Sequence, residues 1–116
     1  MWGLGTDTAE VNQYRPMTTL WFAVTGKMVG GTVVNHQTIG REDALIAHTR
    51  NNSFFIFQED NLGSIQPGKL ADLVVLDRDY LTVPVDQIKD IKPVMTMVGG
   101  RIVFDASTDT SSLRLR

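Results

Sequence analysis

A chain of 116 residues, 42% apolar and 21% charged, carries enough hydrophobic material for one modest domain and too much for a disordered tail. A net charge of −2 gives no general attraction for nucleic acid or an anionic membrane, and the basic residues are scattered along the sequence apart from Arg114 and Arg116. The lack of cysteine excludes a disulfide framework, a thiolate nucleophile and a thiolate metal site.

The opening "MWGLGTDTAE" lacks the basic and then apolar plan of a signal peptide, and no run reaches the ~20 apolar residues of a membrane helix. With the absent cysteines, this sets the expectation of a cytoplasmic protein with no membrane or nucleic-acid partner. Residues 1–7, short, apolar and glycine-punctuated, read as a stub of buried strand, and residues 8–15 as polar loop. Pro16 suits a first helical residue, since its fixed φ fits and its missing N–H is not needed there. Leu20, Val24, Lys27 and Met28 recur at helical spacing beside Trp21 and Thr25, and Gly26, Gly30 and Gly31 loosen the end. A second helix begins at Gly40, with Glu42 and Asp43 in the first turn, where the helix dipole favours negative charge. Ala44, Leu45, His48 and Asn52 share its stripe. The run "SFFIF", residues 53–57, either extends this helix as a buried end or leaves it.

From Gly63 the period becomes that of strands. Pro67-Gly68 predicts a type II turn, with proline presetting φ and glycine accepting a positive one. "ADLVVL", residues 71–76, is a continuous apolar run suited to a strand covered on both faces, and Asp77, Arg78 and Asp79 end it. "PVDQIKDIKP" is turn or a single helical turn. The plainest local signal is "PVMTMVGGRIVFD", two β-rich runs flanking Gly99-Gly100, a pair fitted to a hairpin turn that needs positive φ twice. That pairing sets Met97 opposite Ile102 and Met95 opposite Phe104, with Val94, Thr96, Val98 and Val103 on the other face. Both faces are apolar enough to expect cover.

Four stretches, "LGTD" (residues 4–7), "GREDALIAHTRN" (40–51), "GSIQPGKLADLVVLDRDYLTVP" (63–84) and "IKPVMTMVGGRIVFD" (91–105), resemble in order and spacing the C-terminal end of a metal-dependent amidohydrolase, in the amidohydrolase 3 or YtcJ-like group. The resemblance implies an α+β fragment: helices from the end of a (β/α)8 barrel, then antiparallel strands of a small β-sandwich that both chain ends normally build. Residues 1–57 would be the remnant of the last barrel strand and its helices. Residues 58–106 would be the sandwich portion with the Gly99-Gly100 hairpin, and 107–116 a flexible tail, all in one folded unit. The strands that complete that sheet would lie upstream.

By the same resemblance Asp7 is the catalytic and metal-binding position, the acid at the end of the eighth barrel strand. A carboxylate beside a divalent cation can orient metal-bound water and accept its proton. The family's metal, such as zinc, is not expected on this chain alone. The His-X-His pair is absent, and a catalytic zinc generally needs three protein ligands. His36 sits in "VVNHQT", which reads as loop, and His48 on a helix stripe, and neither has ligand spacing. Ser53, Ser64, Ser107, Ser111 and Ser112 have no nucleophile context, Gly30-Gly31 and Gly99-Gly100 are not phosphate loops, and Asp77, Asp79 and Lys89-Asp90 read as solvated charge. Trp2, Trp21 and the Phe54–Phe57 cluster are core, or surface that a barrel would cover.

Three functional expectations stand. The first is an amidohydrolase fragment, ancestrally hydrolysing non-peptide C–N bonds but inactive without the missing ligands. The second is a non-catalytic, self-associating interaction or scaffold module. The third is a small hydrolase with a metal site rebuilt between subunits from Asp7 and a histidine. Uncovered apolar faces and unpaired strand edges predict a homo-oligomer, a dimer, or else union with a barrel-bearing chain.

Overall fold

In the computed structural model, which describes residues 1–6 and 14–108, Pro16 opens the first helix, α1 (Pro16–Thr25), and buries Leu20 and Trp21. The helix stops earlier than its apolar spacing suggests. Gly26 turns to φ 67° and its N–H returns to Phe22 O at 2.7 Å. Lys27 therefore leaves the helix and forms an isolated antiparallel bridge with Val33, closed over a tight turn by Gly31 N–H to Met28 O at 2.7 Å.

Gly40, in extended conformation, precedes α2 (Arg41–His48), whose first turn holds Glu42 and Asp43 and whose buried side is Ala44 and Ala47. The expected continuation to Asn52 is broken at Thr49, which adopts φ −121° and ψ −84°. Its hydroxyl donates back to Leu45 O at 2.7 Å, the local bond by which threonine competes with helix geometry. A six-residue helix, α3 (Arg50–Phe55), follows. The aromatic run is thus divided: Ser53 to Phe55 are helical, and Phe57 leaves at φ 56° with its side chain 86% exposed.

The loop before the sheet is held by its own polar groups. Lys69 Nζ donates to Glu59 O at 2.5 Å, Ser64 Oγ at 2.9 Å and Leu62 O at 3.2 Å, using the full donor capacity of an ammonium. Gly63 has φ +85°, and a Cβ there would stand 2.4 Å from Ser53 Oγ and 3.0 Å from Arg50 Cα. Only glycine lets this loop lie on α3. Pro67-Gly68 makes the expected turn, with Gly68 at φ +90° and Lys69 N–H bonded to Gln66 O.

The strands β1 (Leu73–Leu76), β2 (Pro93–Val98) and β3 (Arg101–Asp105) form an antiparallel sheet in the order β1-β2-β3. The hairpin turn is as read, Gly99 and Gly100 both having positive φ, and it is clipped to the entry of β1 by Gly99 N–H to Asp72 Oδ1 at 2.7 Å. Val98 pairs with Arg101 and Met97 with Ile102, but Phe104 faces Thr96, and Met95 faces Asp105. The expected Met95–Phe104 pair is replaced because a bulge leaves Val103 as the extra residue on β3. Nor do the described residues cover both faces: Val74 (51% exposed), Val75, Val98, Ile102 and Val103 (62%) are open. Residues 1–6 form no strand, and Met1 and Trp2 are exposed, since no described strand lies alongside to pair with them.

The core lies beside the sheet rather than beneath it. Leu20 and Trp21 of α1 meet Ala44 of α2, Tyr80, Ile88 of the 3-10 helix (Val85–Asp90) and Ile91; of the strands, only Leu76 packs against the cluster among the described residues. The segment that reads as turn or helical turn is thus the 3-10 helix that seals the core. Lys27 Nζ, 2.8 Å from Asp86 Oδ1, and Trp21 Nε1, 3.4 Å from it, tie α1 to this helix. Those two bonds, Lys27's foremost, hold the Asp86 carboxyl below its ordinary pKa. Among the described residues no helix is long and apolar enough to cross a membrane.

A reciprocal pair closes the structure. Tyr80 Oη donates to Arg41 O at 2.7 Å, while Arg41 Nη1 donates to Tyr80 O at 3.0 Å and Val83 O at 2.8 Å. Burial pushes the Tyr80 hydroxyl pKa from 10.0 up to about 12, against a smaller opposing pull from Arg41. The folded value lies above the unfolded one, so this stability is full below pH 10.0 and is lost as pH rises toward about 12. Urea unfolding should show Tyr80→Phe destabilised by about 1 kcal/mol and Arg41→Met by about 2 kcal/mol. The stability of Tyr80→Phe should also be flatter than the parent's between those two pH values.

Candidate functional site

The acid singled out by the sequence, Asp7, lies outside the described residues, but the strip leading to it is closely held. Leu4 N–H donates to Ala47 O at 3.2 Å. Leu4 O accepts from Asn52 Nδ2 at 2.8 Å and from His48 Nδ1 at 2.9 Å, and Asn51 Nδ2 donates to Trp2 O at 2.8 Å. A carbonyl can only accept, so the His48 bond fixes the proton on Nδ1. The break at Thr49 makes this possible: it ends one helix and starts the next, so His48, Asn51 and Asn52 all address the same strip. The α2–α3 junction therefore holds the strip at Trp2 and Leu4 through their backbone groups.

This arrangement gives His48 a structural partner, in keeping with its reading as a helix-face residue rather than a ligand. His36 is exposed in the loop between α1 and α2. Among the described residues no group of three or more His, Asp or Glu side chains converges in a way that could hold a metal ion. Of the described serines, Ser53 Oγ donates to Arg50 O, Ser64 Oγ receives Lys69, and Ser107 Oγ donates to Asp105 Oδ1, so each serves local structure. The Ser107 bonds, its hydroxyl's first, also lower the Asp105 pKa. Asp77 and Asp79 are exposed just past the end of β1, as expected of solvated charge, and also cap backbone: Asp77 Oδ1 accepts Lys92 N–H and Asp79 Oδ1 accepts Leu81 N–H, each at 2.9 Å.

One concentration of charge escapes a linear reading. Arg15, Arg78 and the neighbouring Lys89 and Lys92 come from separate stretches of the sequence yet line a single cleft of about 670 Å3 at the start of α1. The isolated "KD" and "DRD" pairs were the sole signals of it, and neither says what faces it across the fold.

The amidohydrolase family model matches residues 1–104. Among individual proteins, the chain is similar to the N-substituted formamide deformylase of Arthrobacter pascens, 28% identical over 93 residues that make up 79% of this chain and 17% of the relative. It is also similar to the 5-methylthioadenosine/S-adenosylhomocysteine deaminase of Teredinibacter turnerae, 34% identical over 106 residues, 85% of this chain and 22% of the relative. The chain thus spans about a fifth of the length of the curated relatives it matches.

If the α2–α3 junction holds the strip at Leu4, Asn52→Ala should speed hydrogen exchange at the Leu4 amide by about tenfold or more while leaving the amides of β2 protected. Unchanged exchange at Leu4 would show that the asparagine does not hold the strip.

Proposed function

The chain belongs to the amidohydrolase family, and from that premise we propose that it is the C-terminal part of a metal-dependent hydrolase of non-peptide C–N bonds. The observation that carries the reading is a family match running through residues 1–104, from the strip before Asp7 to the end of the sheet. Residues 1–57 then correspond to the last barrel strand and its following helices, and residues 58–106 to the chain's share of a composite sandwich. Asp7 is the position that this part contributes to a metal site whose other ligands come from upstream strands.

The described residues do not fit a metal by themselves: His48 is committed to Leu4, His36 stands in a separate loop, and no ligand group forms. The chain alone is therefore inactive on this reading. Purified protein equilibrated with zinc and desalted should retain only substoichiometric metal by mass spectrometry and should not hydrolyse an N-substituted formamide. Stoichiometric zinc abolished by Asp7→Ala would instead establish a metal site rebuilt between copies.

A second reading, a self-associating module without catalysis, is favoured by the open sheet. Val74, Val75, Val98, Ile102 and Val103 are exposed, and β1 and β3 each have one side unpaired among the described residues. Apolar patches and free strand edges of this kind drive association. In the whole enzyme the upstream strands cover them, and in the isolated chain a second copy does so, giving a dimer. Size-exclusion chromatography with light scattering at micromolar concentration should report twice the chain mass, and a clean monomer would remove this reading.

A further inference from the structure

The cleft at the start of α1 has the size of a small-molecule site, about 670 Å3 against a usual range of roughly 300–1,000 Å3. Its charge opposes that of the chain. Four cations, Arg15, Arg78, Lys89 and Lys92, line it with one acid, Asp90, among the described residues, although the whole chain carries −2. The acids beside Arg78 and Lys89 stand at long range from them. Asp90 lies 4.0 Å from Lys89 Nζ, and Asp77 lies 3.9 Å from Arg78 Nε while its other oxygen caps Lys92 N–H. Asp86 is turned to Lys27 at 2.8 Å. Like charges gathered around one cleft repel, and an anion entering it relieves that repulsion.

Part of the cation set is pre-ordered. Lys89 Nζ donates to Asp86 O at 2.7 Å and stands 5.1 Å from the Trp21 ring centre, contacts that restrict its side chain while leaving further donors on the ammonium. Lys92 Nζ makes no hydrogen bond or ion pair with a described side chain, so its donors are available. The wall of the cleft also includes apolar side chains, among them Met17 and Phe104. The β-bulge that shifts Phe104 to face Thr96 sits beside this wall.

We propose that this cleft binds a small organic anion: a doubly charged phosphate-like group held by Arg78, Lys89 and Lys92, joined to an aromatic or apolar body seated against Met17 and Phe104. The site shares no residue with the Asp7 strip, so it stands or falls separately from the hydrolase reading.

Adenosine 5′-monophosphate, titrated into the full chain and followed by calorimetry and amide chemical shifts, tests it. Saturable one-to-one binding should perturb the amides of residues 89–92, weaken as salt is raised, and fall about tenfold or more in Arg78→Ala/Lys92→Ala, since two charge-assisted contacts are lost. Arg101→Ala, on β3 outside the cleft lining, should bind as the parent does. Adenosine and inorganic phosphate alone should each bind more weakly than the nucleotide. Both replaced side chains are exposed, and a circular dichroism spectrum matching the parent's checks the fold; should the double variant not fold, Lys92→Gln takes its place. No saturable binding, binding indifferent to the cleft substitutions, or phosphate alone binding as tightly as the nucleotide would overturn the proposal.

Discussion

Among the described residues, a helical part and a sheet-like part are joined through a buried linkage. The helices pack on one another and on the 3-10 helix, and the strands pair with one another. The connection between them is the segment from the end of β1 to the start of β2, which sends Tyr80, Ile88 and Ile91 into the helical core. The reciprocal hydrogen bonds of Arg41 and Tyr80 fix that segment against the first turn of α2. A guanidinium and a phenol each satisfied by the other's backbone leave no buried polar side-chain atom unpartnered among the described residues. Without this link the sheet would be a hairpin and one short strand with little apolar cover, a form rarely stable in water.

The constrained stretch from Gly63 onward acquires a physical meaning in this setting. Its glycine allows contact with α3, its lysine ties three acceptors of the preceding loop, and its Asp72 receives the hairpin turn. Each residue stabilises a connection rather than a catalytic group. The segment is scaffolding for the edge of a sheet, and family membership supplies the reason such scaffolding is elaborate. A strand with apolar residues on both faces has to be presented in one register, since a slip of one residue exchanges its faces.

The chemistry of the chain divides in the same way. The strip before Asp7 is held by His48 and Asn52, which lend their polar atoms to the Leu4 carbonyl. The partner groups of Asp7 belong to other parts of a larger enzyme on the reading adopted here. At the start of α1, four cations line a cleft that also has apolar walls. The two features lie at different places and make different demands, one for a cation and the other for an anion.

Much of the local structure could be read directly from the residues. Pro16, Gly40, Pro67-Gly68 and Gly99-Gly100 mark boundaries through φ preferences or a missing N–H, properties that hold whatever surrounds them. The likeness to amidohydrolases rested on four stretches in a fixed order and spacing, and the α+β class was what that likeness implied. Other features were decided by contacts between residues remote in sequence. Thr49 divides what reads as one helix, the bulge at Val103 replaces the Met95–Phe104 pair, and residues 1–6 lie on helices rather than in a strand. The run "SFFIF" and the segment around Ile88 were equally open until the core chose between helix, turn and 3-10 geometry. Charges apart in sequence carry no mark of facing each other, so the cleft of Arg15, Arg78, Lys89 and Lys92 exists only once α1 and the 3-10 helix have packed. Backbone preferences act over a few residues and are written locally, whereas packing and electrostatics depend on distance in space, which the fold alone supplies.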